Sequence, residues 1–247
     1  MKWHKRFVQQ ASWTKDLRQY LLKSARIESA RRVLEVGCGT GAALSDLTIP
    51  TTIHGLDLEL ARLMEARVHA PQAVLTCANA VYLPYASGVF DITFCHFLLL
   101  WVGDPLQALR EMKRVTRHGG SILAMAEPDY SGRVDKPDVL APLGRWQAES
   151  LRQQGADPSL GRRLTELFRL AGIPLIETGC LRQDNENPPP AGERDLEWEV
   201  LESDLAGMVS TEKMQQMKRL DAEAWKRGER VLYVPTYFAW GQVAQMV

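Results

Sequence analysis

Charge of one sign is missing from this sequence: thirty Lys and Arg face thirty Asp and Glu, giving a formal net charge of zero over 247 residues. Without a diffuse positive field, extended binding along a nucleic-acid backbone is not expected, although a local basic patch is compatible with the count. Cysteine is scarce, with four residues at Cys38, Cys77, Cys95 and Cys180. None forms a C-x-x-C pair and the spacings do not make a zinc site, so no metal is expected. Three of them fall in or beside apolar strand-like runs, where reduced thiols act as small hydrophobes, and the expected setting is cytoplasmic. Long apolar runs are also missing. The most apolar stretch, 89–102, carries Asp91 and His96 and is too short to span a bilayer, so no membrane association is expected. The opening MKWHKRFVQQASW is positively charged but has no apolar core, unlike a signal peptide. No internal repeat or low-complexity tract occurs beyond the three prolines at 188–190.

What is there alternates. Trp13, Leu17, Tyr20 and Leu21 recur at helical spacing and predict a helix over 11–27, with Ser12 as its cap. Strands are expected at 32–36, 51–56, 73–77, 90–97 and 121–127. Helices are expected from the glycine-rich stretch through Leu47, at 59–69, and at 105–117, where His118-Gly119-Gly120 supplies a left-handed stop. His118 then reads as a helix C-terminal residue with no chemistry. Alternation of this kind implies a parallel sheet in an α/β fold, with ligands at the carboxyl ends of the strands. Beyond Pro128 the segment 129–139 reads as a mobile turn region. Helices follow at 140–154 and 160–171, a strand at 174–181, a loop at 185–195, and helices at 196–208 and 211–227. The last run, 231–243, reads as one strand that Pro235 assigns to an edge or a bulge.

The most informative stretch is VLEVGCGTGAAL, 33–44. Glycines at 37, 39 and 41 let backbone turn sharply and approach a ligand. Gly37, Gly39 and Ala42 also satisfy the dinucleotide pattern, so the glycines alone do not choose a cofactor. Glu35 discriminates: a carboxylate two residues before the first glycine repels a pyrophosphate and favours a ligand bearing an ammonium and a sulfonium. S-adenosylmethionine has those charges and no phosphate. Asp57, twenty residues past Gly37, is placed to accept from two ribose hydroxyls, a role that serves either ligand.

At these residues the sequence resembles the class I S-adenosylmethionine-dependent methyltransferases, particularly small-molecule enzymes like those of ubiquinone and menaquinone biosynthesis. The resemblance runs from about Arg32 to Glu127. It includes E-x-G-x-G-x-G, G-L-D at 55–57, N-A-x-x-L-P at 79–84, F-D at 90–91, and D-P-x-x-A-L-x-E-x-x-R-V at 104–115 with the following Gly-Gly. It implies a Rossmann-like, doubly wound sheet of seven strands, mostly parallel with an antiparallel last strand, helices on both faces and a helical lid. It further implies one domain over 1–247: an N-terminal helical cap to 31, a cofactor-binding core at 32–127, and an acceptor-side region at 128–247. The implied cofactor site is Glu35, Gly37, Gly39, Gly41, Asp57, Leu58, Asn79, Ala80 and the backbone near Cys95. Asn79 departs from the usual Asp, but its amide can both accept from and donate to an adenine. The implied partner is a small-molecule methyl acceptor, with S-adenosylhomocysteine as product; oligomeric state is left open.

Each candidate has a plainer reading. Glu35 and Asp57 could be a cap or a surface carboxylate, and Asn79 a turn residue. Cys38 and Cys95 read as packing residues, since no His and Asn set partners them. His96, at the end of the fourth strand, is a candidate general base or a hydrogen-bonded core histidine. Tyr130 and Asp129, in the turn after the fifth strand, are candidates to orient the acceptor; the alternative for Tyr130 is an aromatic covering the core edge. Trp13 and Tyr20 read first as packing, on a helix that by resemblance closes over the donor pocket. Two other function classes fit part of the pattern: a nicotinamide-dependent oxidoreductase, and a non-catalytic S-adenosylmethionine-binding module. No basic stripe or N-P-P-Y-like signature points to a nucleic-acid acceptor; N-E-N-P-P-P at 185–190 lies well past the fifth strand.

Overall fold

The computed structural model describes residues 3–47, 49, 51–181 and 190–244. Its centre is a seven-stranded sheet in the order β3 (Val74–Cys77), β2 (Thr52–Asp57), β1 (Arg32–Val36), β4 (Phe90–Cys95), β5 (Thr116–Pro128), β9 (Thr236–Gln242) and β7 (Leu175–Leu181). The first five strands run parallel, and β9 runs antiparallel to both of its neighbours. This is the expected Rossmann-like, doubly wound arrangement. Strand order reverses beside β1, which is where such sheets open a crevice.

Period-two alternation along the central strands feeds two cores. Leu34, Val36, Ile122 and Ala124 face one side, where α4 (Pro105–Val115) packs with Ala108, Leu109, Met112 and Val115. On the same side α6 (Leu160–Leu170) lays down Leu160, Leu164, Leu167 and Phe168, an i, i+4, i+7, i+8 stripe. Val33, Ile53, Ile92, Phe94, Leu123 and Met125 face the other side, against α2 (Lys15–Ser24) and α3 (Leu60–His69). Each of these large side chains contributes roughly 1.5–3 kcal/mol by leaving water. Pro105 opens α4, and the Asp104 carboxylate accepts from Gln107 N at 2.9 Å, so its start is capped from the side. A third, smaller core joins α5 (Ala141–Gln153), α7 (Ala191–Asp204) and α8 (Thr211–Arg227) through Leu143, Trp198, Leu201, Met214 and Met217.

Several expectations are corrected. The N-terminal helix begins earlier and is broken in two: α1 spans Trp3–Trp13, and α2 follows from Lys15. Ser12 is not a cap; its hydroxyl donates to the Gln9 carbonyl inside α1. After the glycines only a 3-10 turn forms, at Leu44–Asp46, because Ser45 and Asp46 favour turns over helix. Helix α4 stops at Val115, with the Thr116 hydroxyl against the Met112 carbonyl at 2.6 Å, so His118 and both following glycines lie in β5 and do not cap it. His118 Nδ1 lies 2.8 Å from the Ala244 carbonyl oxygen. Segment 129–139 is built rather than loose: β6 (Val134–Lys136) pairs with β8 (Val231–Tyr233). Pro235 separates β8 from β9, so the final run is two strands, and β9 is internal to the sheet. Helix α7 starts at Ala191, inside the expected loop; residues 185–189 of that loop lie outside the described residues. Among the described residues no helix is long and apolar enough to cross a membrane.

Candidate active site

The crevice beyond β1 is built from the strand outward. Glu35 pairs in register with Gly55 on one side and Phe94 on the other, and is only 2% exposed. Its Oε2 is buried with no hydrogen-bond partner. Burial pushes its pKa up to about 8; the Arg18 guanidinium works against that rise and the Asp57 carboxylate adds to it. Two residues on, Gly37 turns the chain at φ +76°, and the N–H groups of Gly37 and Cys38 both donate to the Leu56 carbonyl, at 2.7 and 2.9 Å. The loop is thereby folded back over the end of β2. A Cβ at position 37 would stand 2.5 Å from Leu98 Cδ1. Asp57 ties the second strand to this loop: Oδ2 accepts from Gly39 N at 2.8 Å and Oδ1 from Glu59 N at 3.0 Å.

These groups line a cavity of about 260 Å³, together with Trp3, Arg6 and Phe7 of α1, Gln147 and Leu151 of α5, and Asp204 of α7. A second chamber of about 330 Å³ lies under α7 and α8. The two share Arg6, Phe97, Pro128 and Tyr130 as lining. Phe97 holds a left-handed φ of +53°, a strained conformation for a bulky residue, and its N–H donates to the Ala126 carbonyl at 3.0 Å. Arg6, almost fully buried, reaches Glu197 of α7 at 2.8 Å and so braces α1 against α7.

Two expected catalytic candidates reach these cavities. His96 lines the smaller one, with Nε2 2.7 Å from the Thr14 hydroxyl. Burial, assisted by the charge of Arg18, lowers its pKa to about 3, so the ring is neutral at physiological pH. Tyr130 borders both cavities, and its phenol pKa is raised, chiefly by burial. Asp129 accepts from Gly132 N at 3.0 Å and pairs with Arg162 at 2.5 Å.

Of the expected cofactor residues, Glu35, Gly37, Gly39 and Asp57 converge on the smaller cavity. The lining does not extend to Gly41, Leu58, Asn79, Ala80 or Cys95. At Gly41, φ +80°, an added Cβ would stand 3.2 Å from Ala70 Cβ and 3.3 Å from Ala66. Leu58 is 66% exposed, and Cys95 is fully buried with Sγ toward Glu127 Oε1 at 3.9 Å. Asn79 caps its own turn: Oδ1 accepts from Val81 N at 3.1 Å. Ala80 is buried in the core behind that turn. Cys38 is buried in the glycine loop, where burial raises its thiol pKa strongly, as a packing residue requires. Trp13 is half exposed and donates to Glu193 Oε2 at 3.2 Å, and the Tyr20 hydroxyl donates to Glu177 at 2.9 Å. Sequence reading missed Arg6, Phe7, Phe97 and Glu197. The i, i+4 pair Trp3 and Phe7 was the available signal; the others touch partners far along the chain. Among the described residues no group of three His, Cys, Asp or Glu is placed to hold a metal.

Comparison with known proteins bears on what this crevice is for. Residues 34–124 match the family described as "Methyltransferase domain". A demethylmenaquinone methyltransferase from Alkalihalophilus pseudofirmus is 30% identical over 197 residues, 69% of this chain and 80% of that protein. A malonyl-acyl-carrier-protein O-methyltransferase from Halorhodospira halophila is 36% identical over 99 residues, 38% of this chain and 34% of its own. The chain spans only about a third to two thirds of the length of several curated relatives that it matches, 34%, 63% and 51%. Among solved structures, a geranyl diphosphate methyltransferase in complex with SAM superposes with a TM-score of 0.58 at 12% identity, covering 94% of this chain and 85% of the other.

Proposed function

The chain belongs to the methyltransferase family, and on that premise we propose that it transfers a methyl group from S-adenosylmethionine to a small-molecule acceptor, leaving S-adenosylhomocysteine. The observation that carries this reading is the buried, unpartnered Oε2 of Glu35 in the glycine-lined crevice. A carboxylate kept out of water without a partner is unfavourable, and a cationic ligand relieves it where a pyrophosphate would aggravate it. The residues present therefore fit the sulfonium ligand and disfavour the nicotinamide one.

In this reading Glu35 holds the cationic amino-acid end, and the backbone at Gly37 and Gly39 borders it. Asp57 keeps lone pairs beyond the two it uses, enough to accept from ribose hydroxyls. Leu58, Asn79 and Ala80 extend the site at the outer ends of β2 and β3, where the Asn79 amide nitrogen is left to meet the adenine. When bound, S-adenosylmethionine supplies a methyl group on a sulfonium, already activated for displacement. The chain's own work is then alignment and exclusion of water. Helices α1, α5 and α7 close the crevice, and orientation of this kind lowers a barrier by roughly 7–11 kcal/mol. Tyr130, at the border of both cavities and protonated by burial, donates to the acceptor and fixes its approach. His96 keeps a neutral ring beside the same border. The division into an N-terminal cap, a cofactor core and an acceptor-side lid follows from the same reading. So does a cytoplasmic setting, which four free cysteines support.

Isothermal titration of the folded chain tests this directly. S-adenosylmethionine binds one to one, NADH does not, and Glu35→Gln loses the heat. No heat from S-adenosylmethionine removes the reading. Binding without release of S-adenosylhomocysteine from any metabolite fraction leaves a binding module instead.

A further inference from the structure

One guanidinium of the larger chamber has no ion-pair partner among the described residues. Four guanidinium groups line it: Arg6, Arg133, Arg194 and Arg230. Three are neutralised. Arg6 pairs with Glu197 at 2.8 Å, Arg133 with Asp135 at 2.8 Å, and Arg230 with Asp135 and Asp221 at 2.6 and 2.5 Å. Arg194 is different. Among the described residues its side chain makes no ion pair or hydrogen bond, and its Nε is buried without a partner. Its guanidinium carbon stands 5.9 Å from the centroid of the Trp225 ring. None of the chamber's carboxylates pairs with it among the described residues. Glu197 and Asp221 belong to the three pairs, and Glu193 accepts from the Trp13 indole.

The buried Nε of Arg194 lacks an acceptor, which is unfavourable, and the planar fork of a guanidinium matches a two-oxygen anion. Beside the paired charges the chamber has apolar walls: Leu143, Trp198, Leu201 and Leu232 line it with Trp225. We propose that the acceptor is an amphipathic small molecule, with an apolar ring-sized body filling this chamber and one carboxylate-like anionic group seated on Arg194. This rests on the reading that the chamber receives the methyl acceptor, and it adds the chemical class.

Fluorescence titration of the full chain tests it with two probes of the same body. One is 8-anilinonaphthalene-1-sulfonate, and the other is the neutral N-phenyl-1-naphthylamine. Arg194→Gln weakens the sulfonate probe about ten-fold or more, the worth of a charge-assisted pair, and leaves the neutral probe within about two-fold. Arg194→Lys restores part of the loss, and Trp225→Leu weakens both probes. Equal loss of both probes in Arg194→Gln, or binding indifferent to both substitutions, overturns the proposal. S-adenosylmethionine titrated into Arg194→Gln keeps its wild-type affinity. If the wild type itself fails to bind S-adenosylmethionine, the methyltransferase reading fails, while the probe result still decides the anion site.

Discussion

The Thr14 hydroxyl lies 2.7 Å from His96 Nε2, joining the junction of α1 and α2 to the end of β4 across 82 residues of sequence. The pair holds the helical cover against the strand that borders the crevice. It also fixes the ring in a site where burial and Arg18 keep it uncharged to a pKa of about 3.

The first prediction is an acid sensitivity owed to His96. The unfolded chain binds its proton near the ordinary value of 6.5, while the folded chain refuses it down to about 3. Between those values the unfolded state holds more protons, so stability falls as pH drops. His96→Gln flattens denaturant-derived stability between pH 6.5 and 4 relative to wild type. Imidazole resonances of His96 in the wild type show a neutral ring at pH 5. A ring charged at pH 5 would contradict the geometry and return His96 to the role of an ordinary titrating base.

Glu35 has the opposite sign. Its folded pKa of about 8 exceeds the usual 4.5, so the contribution present below 4.5 is lost as pH rises through 8. Glu35→Gln removes that loss. The ligand-free variant is expected to be more stable than wild type at pH 8 by on the order of a few kcal/mol, and to melt at a higher temperature. S-adenosylmethionine, which raises the wild-type Tm by mass action, leaves the variant unmoved. A variant that melts lower and still responds to the ligand would separate position 35 from the site.

A linked outcome concerns protons. At pH 7 the Glu35 carboxyl of the free chain is mostly protonated, and a cation bound against it favours the ionised form. Binding then releases close to one proton, ~1 by linkage, seen as a buffer-dependent heat in phosphate and Tris. Glu35→Gln abolishes the dependence.

How far the sequence led depends on the range of the interaction. Glu35, Gly37, Gly39 and Asp57 were legible because a strand, a tight turn and the next strand carry their own local signals. Those signals also bring the four residues to one edge. Asn79 was legible as a turn residue, and its Oδ1 accepts from Val81 N, which leaves the amide nitrogen for the proposed adenine contact. Arg6 and Glu197 were not legible: they meet across 191 residues, and no local pattern encodes such a meeting. Phe97 was hidden for a different reason, because nothing in its neighbours announces a left-handed phenylalanine. The final run misled because one apolar pattern covers two strands, and only Pro235 marks where the chain leaves one sheet for the other.

Gly37→Ala tests the loop. The residue sits at φ +76°, and a Cβ there meets Leu98 Cδ1 at 2.5 Å. The left-handed backbone alone costs about 1 kcal/mol for an L-residue, and the contact adds to it. Affinity for S-adenosylmethionine is expected to fall at least ten-fold by titration. Adding Leu98→Ala relieves the contact but not the backbone, so rescue is partial. Full rescue would show that packing against Leu98, and not the turn, is what position 37 requires.

The last prediction concerns the charges behind the larger chamber. Asp135, nearly inaccessible, bridges Arg133 at 2.8 Å and Arg230 at 2.6 Å, and Arg230 continues to Asp221 on α8. One carboxylate thus serves two buried guanidinium groups and links β6, β8 and the lid helix. Removing one member of such a set leaves buried charge uncompensated, which typically costs about 3–5 kcal/mol. Asp135→Asn is therefore expected to lower denaturant stability by that order, far more than loss of the exposed pair Lys136–Asp138. The double variant Asp135→Leu, Arg230→Met exchanges charge for apolar volume and is expected to recover part of the loss. Since Arg230 also lines the chamber, probe binding reports whether the chamber keeps its shape. If Asp135→Asn proves no worse than the exposed pair, the buried network does not hold the lid, and the small apolar core of α5, α7 and α8 does so alone.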